Sequence, residues 1–134
     1  KLMMLMLQKE VAERICAKAG EMSLLAVSVQ FYAKPEIVQI VPKENFWPQP
    51  EVDSAIIKLK AINKKTEVNE KDFFRLVKFG FSAKRKMLKN NLAAGFRLSQ
   101  EEAENKIKQA GFNPKVRAQE LSVDDWLKLF SVFN

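Results

Sequence analysis

Histidine is absent from this sequence of 134 residues, and cysteine occurs only once, at Cys16. A triad with an imidazole base cannot form without histidine, and a single thiol cannot complete an ordinary zinc site. One cysteine also excludes an internal disulfide, which suits a reducing compartment. The composition therefore argues against serine-hydrolase chemistry and against a metal centre. We expect Cys16 to be a small buried apolar residue.

Long apolar segments are also missing. The longest apolar run, residues 2–7, is far shorter than a membrane span, and no signal sequence precedes it. We therefore expect a soluble, cytoplasmic protein with no membrane partner. The run does not alternate with polar residues, which is typical of a strand buried on both faces of a parallel sheet. Because such a strand opens the chain, we expect the sheet to be incomplete.

Glycine is scarce and scattered, with four residues at Gly20, Gly80, Gly95 and Gly111. A cofactor loop needs clustered glycines, because only they let several backbone N–H groups approach one ligand. No such cluster exists here. We therefore expect no cofactor to bind this chain by itself.

Acidic residues are missing from one long interval, between Asp72 and Glu101, although the formal net charge of the chain is +7. A solvated helix face normally mixes charges of both signs, so a block of one sign favours a surface that contacts phosphates. A basic surface that only maintains solubility is the alternative. Seven cations fall in this interval: Arg75, Lys78, Lys84, Arg85, Lys86, Lys89 and Arg97.

The first part of the chain predicts the end of an α/β sheet protein, which we assign to residues 1–62. Ser23 is placed to cap a helix, and Pro35 is placed to stop it. The predicted elements are a strand over residues 2–7, helices over residues 8–17 and 24–33, and strands over residues 36–41 and 52–62.

Residues 63–69 are polar and predict a linker, and residues 70–134 predict a small helical bundle. The second of its helices is predicted over residues 83–94, closed by Gly95. Four residues are placed to cap the helices: Asn69, Ser82, Ser99 and Ser122.

Three consecutive cations, Lys84, Arg85 and Lys86, fall in the first turn of the helix predicted over residues 83–94. A helix N-terminus carries a partial positive charge, so cations are unfavourable there unless an anion is present. An RNA phosphate would meet both the helix dipole and the side chains. A solvated basic turn without a partner is the alternative.

An aromatic pair, Phe46 and Trp47, precedes two prolines, Pro48 and Pro50, and a strand. The prolines hold the loop extended, since each fixes φ and lacks an N–H group. The pattern suits a functional loop, and it equally suits a proline-ended edge strand with two core aromatics. For Trp47 we favour packing in the core.

Four segments resemble the ribosomal RNA adenine dimethyltransferases, the KsgA family. Residues 46–55 match the family's Phe-x-Pro-x-Pro-x-Val-Asp-Ser-Ala, and residues 81–92 resemble Phe-Ser-x-Arg-Arg-Lys-x-Leu-x-Asn-x-Leu, with Lys84 in place of the first arginine. Residues 111–122 resemble Gly-x-x-Pro-x-x-Arg-Ala-Glu-x-Leu-Ser, with Gln119 in place of glutamate. Residues 6–14 are similar to the step from strand to helix after the family's catalytic loop.

The resemblance implies the last strands and helices of a Rossmann-like methyltransferase sheet, followed by a small C-terminal helical domain that binds RNA. The whole enzyme would transfer methyl groups from S-adenosylmethionine to N6 of two adjacent adenosines near the 3′ end of small-subunit ribosomal RNA, during ribosome biogenesis. Phe46 would stack on the target adenine. The seven cations and Arg117 would dock the ribosomal RNA of the 30S subunit.

The family's glycine-rich loop, acidic strand end and Asn-Leu-Pro-Tyr loop do not occur in this sequence. The resemblance therefore implies the C-terminal portion of such an enzyme, inactive by itself. Three alternatives stay open: a non-catalytic module for ribosomal RNA binding or ribosome assembly, a large-subunit RNA methyltransferase of the macrolide-resistance type, and a mitochondrial transcription factor of the same superfamily.

Overall fold

The computed structural model describes residues 1–62 and 68–133, so most of the predicted linker lies outside the described residues. The three strands form one sheet in the order β1-β3-β2, and β3 runs antiparallel to both neighbours. The strands are β1 (Leu2–Gln8), β2 (Ala33–Val41) and β3 (Ser54–Ala61). The helices are α1 (Lys9–Ile15), α2 (Leu24–Gln30), α3 (Glu70–Gly80), α4 (Leu88–Phe96), α5 (Gln100–Gln109) and α6 (Val123–Phe133).

The prediction for the first strand is wrong in its pairing and in its burial. Strand β1 pairs antiparallel with β3, placing Leu2 opposite Lys60. Leu2 and Met6 are 61% and 54% exposed, and β1 lies at an edge of the described sheet. A continuous apolar run indicates a strand, but it does not determine which strand pairs with it or in which direction.

Strand β2 begins earlier than predicted and includes the proline that was expected to stop the preceding helix. Helix α2 ends at Gln30, β2 begins at Ala33, and Pro35 lies opposite Leu59 of β3. Within the described sheet β2 pairs only with β3, and an edge strand tolerates proline because it leaves one side unpaired. Ser23 caps α2 as predicted, accepting a hydrogen bond from the Ala26 N–H at 3.1 Å.

Two apolar clusters hold the described residues together. The smaller joins α1 to β3 through Ala12 and Ile57. The larger joins α2 to α3 and α6, where the rings of Phe31 and Phe73 stack with centroids 4.9 Å apart and Trp126 is fully buried. Because this cluster includes residues on both sides of the predicted boundary, the division into domains 1–62 and 70–134 stays a prediction.

Three of the four caps predicted after residue 68 are confirmed, at Asn69, Ser99 and Ser122. The prediction for α4 is wrong. The hydroxyl of Ser82 donates to the Phe79 carbonyl at 2.7 Å instead of capping a helix, and α4 begins only at Leu88. Residues 81–87 form an irregular segment, which we call the basic loop.

The late start of α4 removes the electrostatic argument for the basic tripeptide. Lys84, Arg85 and Lys86 do not lie in the first turn of a helix, so no helix dipole acts on them as predicted. Gly95 does not close α4 either; it lies within the helix, which ends at Phe96 with Arg97 in the left-handed region at φ 56°.

Candidate nucleic-acid interface

The basic loop is held at both ends by hydrogen bonds from buried or backbone groups. The amide of Asn91, only 4% exposed, donates to the carbonyl oxygens of Gly80 at 2.9 Å and Ala83 at 3.0 Å. At the other end, the Leu88 N–H donates to the Val116 carbonyl at 3.0 Å. The three cations of the loop are exposed, so a fixed backbone presents them to solvent.

A cleft of about 420 Å³ lies beside the basic loop, between α1, α2 and the end of α3. Four cationic residues line it, and none of the described lining residues is acidic. Cations grouped without a carboxylate produce a positive potential that attracts phosphate. We call this the basic cleft, and its cations are Arg14, Lys78, Lys84 and Lys86.

Arg14 was not predicted from the sequence, because it lies far outside the interval that lacks acidic residues. It occupies the last turn of α1, which the fold places across the cleft from the basic loop. The carbonyl of Gln119 accepts hydrogen bonds from the N–H groups of Gly20 at 2.9 Å and Met22 at 3.0 Å, which fixes the α1–α2 connection against the helices. Arg14 therefore lines the cleft through a tertiary contact that the sequence does not indicate.

The other predicted RNA contacts do not line the cleft. The Arg75 guanidinium lies 5.7 Å from the centroid of the Phe96 ring, and Arg97 follows the far end of α4. Arg85 is exposed on the basic loop, and Arg117 is exposed beside Ala118, which lines the cleft.

Lys89 belongs to a separate ionic cluster. Its ammonium lies 3.3 Å from the Glu104 carboxylate, and Lys108 lies 3.4 Å from the same group. The hydrogen bond from Lys89 lowers the pKa of Glu104 most, and the hydrogen bond from Lys108 lowers it further. Lys89 therefore offers less free charge to a phosphate than the exposed Lys84 or Lys86.

A second cleft, of about 350 Å³, lies where β1 meets the proline loop. We call it the aromatic cleft; its lining includes Phe46, which is half-buried, and Trp47, which is 96% exposed. The prediction that Trp47 packs in the core is therefore wrong. The remaining lining residues are Met6, Leu7, Gln8, Pro48, Pro50 and Ser54.

Hydrogen bonds to Asp53 fix the base of this loop. The carboxylate of Asp53 accepts from the Lys43 N–H at 2.9 Å, and its carbonyl accepts from the Lys9 N–H at 2.9 Å. The second bond joins the loop to the start of α1. Gln8, which immediately precedes α1, thus lines the aromatic cleft, and Arg14 of α1 lines the basic cleft, a rise of about 9 Å at 1.5 Å per residue.

The four glycines do not form a loop of the kind that would hold S-adenosylmethionine. A side chain at Gly80 or Gly95 would meet Trp126 or Phe79, so both glycines serve helix packing. Gly20 and Gly111 occupy separate positions with φ values of 108° and 95°. These four positions form no common cradle for a ligand.

Cys16 differs from its prediction, since it is half-buried rather than buried. Partial burial raises the pKa of the Cys16 thiol, and the nearby negative charge of Glu36 raises it further. No group of three or more His, Cys, Asp or Glu residues able to hold a metal ion is found within residues 1–62 and 68–133. In the same part of the chain, no helix is long and apolar enough to cross a membrane.

Comparison with known proteins identifies the family to which the chain belongs. The family model described as ribosomal RNA adenine dimethylase matches residues 1–134. The chain belongs to this family. It is 46% identical over 130 residues to ribosomal RNA small subunit methyltransferase A of Dehalococcoides mccartyi (strain CBDB1), covering 95% of this chain and 44% of that protein.

A second relative of the dimethylase family, ribosomal RNA small subunit methyltransferase A of Nostoc sp., is 41% identical over 128 residues, covering 93% of this chain and 46% of that protein. The chain thus spans less than half the length of these two relatives. Among solved structures, a dimethyladenosine transferase from Plasmodium falciparum matches with a TM-score of 0.80 at 26% identity, covering 96% of this chain and 55% of that one.

The 23S rRNA methyltransferase ErmE matches with a TM-score of 0.71 and 22% identity, covering 98% of this chain and 54% of that chain. At this identity the likeness concerns the fold alone. The structural likeness spans 96% and 98% of this dimethylase-family chain, so it covers both its sheet and its helices.

Proposed function

We propose that this chain is the C-terminal part of an S-adenosylmethionine-dependent enzyme that dimethylates N6 of two adjacent adenosines near the 3′ end of small-subunit ribosomal RNA. Membership of the dimethylase family supports this, as do relatives named ribosomal RNA small subunit methyltransferase A. The enzyme would act on the 30S subunit in the cytoplasm during ribosome biogenesis. The β1-β3-β2 sheet would then be the end of a Rossmann-like sheet, and residues 70–134 would form a helical RNA-binding domain.

The basic cleft carries the docking part of this proposal. Arg14, Lys78, Lys84 and Lys86 converge there without an acidic lining residue among those described. Phosphates of ribosomal RNA would neutralise these cations, and the released counterions would drive binding. Arg85 and Arg117, exposed at the margin of the cleft, extend the same surface.

Phe46 carries the catalytic part of the proposal. Its half-buried ring lines the aromatic cleft together with Gln8, which immediately precedes α1, and Arg14 of the same helix lines the basic cleft. An RNA strand docked in the basic cleft could thus extend to Phe46. An adenine swung out of its stack would rest on the phenyl face, which orients its N6 amine. S-adenosylmethionine, bound elsewhere in the full-length enzyme, would supply the methyl group.

The test of this function is Phe46→Ala in the full-length enzyme, by single-turnover methylation and RNA affinity. Loss of base stacking, about 1 to 3 kcal/mol, should slow methylation about 5- to 150-fold while docking changes little. Phe46→Tyr and Phe46→Trp should retain part of the rate. The control is Val52→Ala, which removes a half-exposed side chain from the same loop. An unchanged rate in Phe46→Ala, or equal loss of stability in all three Phe46 variants, would assign Phe46 to packing alone.

A non-catalytic role in ribosomal RNA binding is the second candidate for the chain by itself, because its four glycines form no common cradle for the cofactor. We expect this chain neither to bind S-adenosylmethionine nor to methylate RNA. Isothermal titration calorimetry measures the first property directly. Saturable, stoichiometric binding at micromolar cofactor would contradict it.

A further inference from the structure

We propose that Trp47 is a second stacking residue, which holds the RNA base next to the adenine received by Phe46. The proposal rests on the RNA-binding function argued above and assigns Trp47 a positioning role within it. It starts from a contrast between the two tryptophans of the chain. Trp126 is fully buried in the larger core, whereas Trp47 is 96% exposed.

Phe46 and Trp47 both line the aromatic cleft, but they differ in exposure. Phe46 is half-buried against the protein, whereas Trp47 is 96% exposed. The exposed indole therefore offers a stacking face beyond the half-buried phenyl ring, where a base next to the target adenine can rest.

The loop is also fixed before any ligand arrives. Pro48 and Pro50 restrict its backbone, and the carboxylate of Asp53 accepts the Lys43 N–H at 2.9 Å. An aromatic ring on a restrained loop loses little conformational freedom when it stacks, which favours binding. Stacking on indole is tolerant of base identity, because every base has a π face.

A nucleobase is a better occupant for Trp47 than an apolar protein segment. The aromatic cleft is joined through α1 to the basic cleft, whose cations attract a polyanion. An RNA strand that docks its phosphates beside Arg14 has its next bases within reach of the proline loop. The substrate proposed above carries two adjacent adenosines, so a purine neighbours the target at either methylation step.

Tryptophan fluorescence tests this proposal in the present chain. The variant Trp126→Phe leaves Trp47 as the sole indole, and in the unmodified chain acrylamide reaches mainly Trp47 because Trp126 is buried. A fluorescein-labelled single-stranded RNA containing two adjacent adenosines reports binding by anisotropy. We expect Trp47 emission to be quenched as this RNA saturates the protein, and acrylamide access to fall. The control Val52→Ala, which changes a half-exposed side chain of the same loop outside the lining of the aromatic cleft, should leave both effects intact.

Affinity for the same RNA provides the matched comparison. Trp47→Ala and Trp47→Leu should each weaken binding about 5- to 150-fold, the equivalent of one stacked base, whereas Trp47→Phe should keep most of the affinity. The leucine variant keeps an apolar side chain but has no π face, so it separates apolar contact from stacking.

The two proposals fail in different ways. Absence of RNA binding by anisotropy would overturn the docking function and the Trp47 proposal together. Binding with unchanged Trp47 emission, or Trp47→Leu binding as tightly as Trp47→Phe, would overturn the Trp47 proposal alone. Protection of Trp47 from acrylamide in the RNA-free chain would show that protein covers the indole, and it would overturn the proposal as well.

Discussion

The side chain of Asn91 donates a hydrogen bond to the backbone carbonyl of Gly80, with 2.9 Å between nitrogen and oxygen. Its second amide hydrogen is directed to Ala83 at 3.0 Å, so one buried side chain closes the turn that follows α3. Helix α4 and the basic loop are thereby fixed relative to each other. The exposed cations of the loop depend on this internal amide for their position.

We expect Asn91→Ala to destabilise the fold by about 1 to 3 kcal/mol, because the Gly80 carbonyl loses its donor in a buried environment. Asn91→Asp should be at least as damaging at neutral pH, since a carboxylate would face two carbonyl oxygens. Urea unfolding measures both effects. The control Asn105→Ala, at an exposed position of α5, should shift stability by no more than about 0.5 kcal/mol. Stability of Asn91→Ala equal to this control would contradict the assignment.

Replacing Gly95 by alanine should lower the stability of the fold, whereas the same change in most helices raises it. Replacing glycine by alanine within a helix normally stabilises it by up to about 1 kcal/mol. Here a Cβ atom would lie 2.6 Å from Cδ2 of Phe79, which itself packs edge-on against Phe96 at 5.0 Å between centroids. We therefore expect Gly95→Ala to cost about 1 to 3 kcal/mol in thermal or urea unfolding.

A double-mutant cycle isolates the cause. In a Phe79→Ala background, the opposing ring is gone, and Gly95→Ala should cost much less or become favourable. A Gly95→Ala variant that is more stable than the parent chain would show that Phe79 can move aside without cost.

The local signals in the sequence were sufficient for much of the fold. Caps at Ser23, Asn69, Ser99 and Ser122 were predictable, because each bond joins a side chain to a backbone group three residues away. The same local logic failed at Ser82. There the deciding hydrogen bond comes from Asn91, and no spacing rule links that residue to Gly80, eleven positions earlier.

The candidate site divides in the same way. Lys84, Lys86 and Phe46 stood out in the sequence because they lie in dense local patterns. Arg14 lines the basic cleft only because α1 packs beside α2 and the basic loop. The amino-acid composition does not predict that packing. The exposure of Trp47 was mispredicted for a similar reason: a tryptophan near a strand is usually buried, and only the fold shows that nothing among the described residues covers this one.

The Glu104 cluster predicts a pH dependence of stability. Because Lys89 and Lys108 lower its pKa in the folded state, Glu104 contributes stability above its ordinary pKa of 4.5, and this contribution is lost as pH falls through the lower folded-state value. Glu104→Gln should therefore be less stable than the parent at pH 6, with the difference shrinking toward pH 3. Urea unfolding across this range is the measurement. A constant difference between Glu104→Gln and the parent across this range would refute the pairing.

The basic cleft makes the most direct prediction about RNA. Changing Lys84, Arg85 and Lys86 together to alanine should weaken RNA binding and flatten the dependence of log K on log salt by up to about three units. The fold should survive, because all three side chains are exposed. Arg14→Ala should add to the loss, since Arg14 lines the same cleft from α1. Lys89→Ala should change binding little, because Glu104 already holds that ammonium at 3.3 Å.

A charge-matched control separates a docking surface from a general electrostatic effect. Changing Lys1, Lys60 and Lys128 to alanine removes the same number of exposed cations from positions outside the basic cleft. If binding depends only on net charge, both triple variants should lose affinity and salt slope equally. If the cleft docks phosphates, the slope should fall mainly in the loop variant, because counterions are released only where phosphate and cation meet. Equal slopes in the parent and the loop variant would leave the basic loop as a solvated surface.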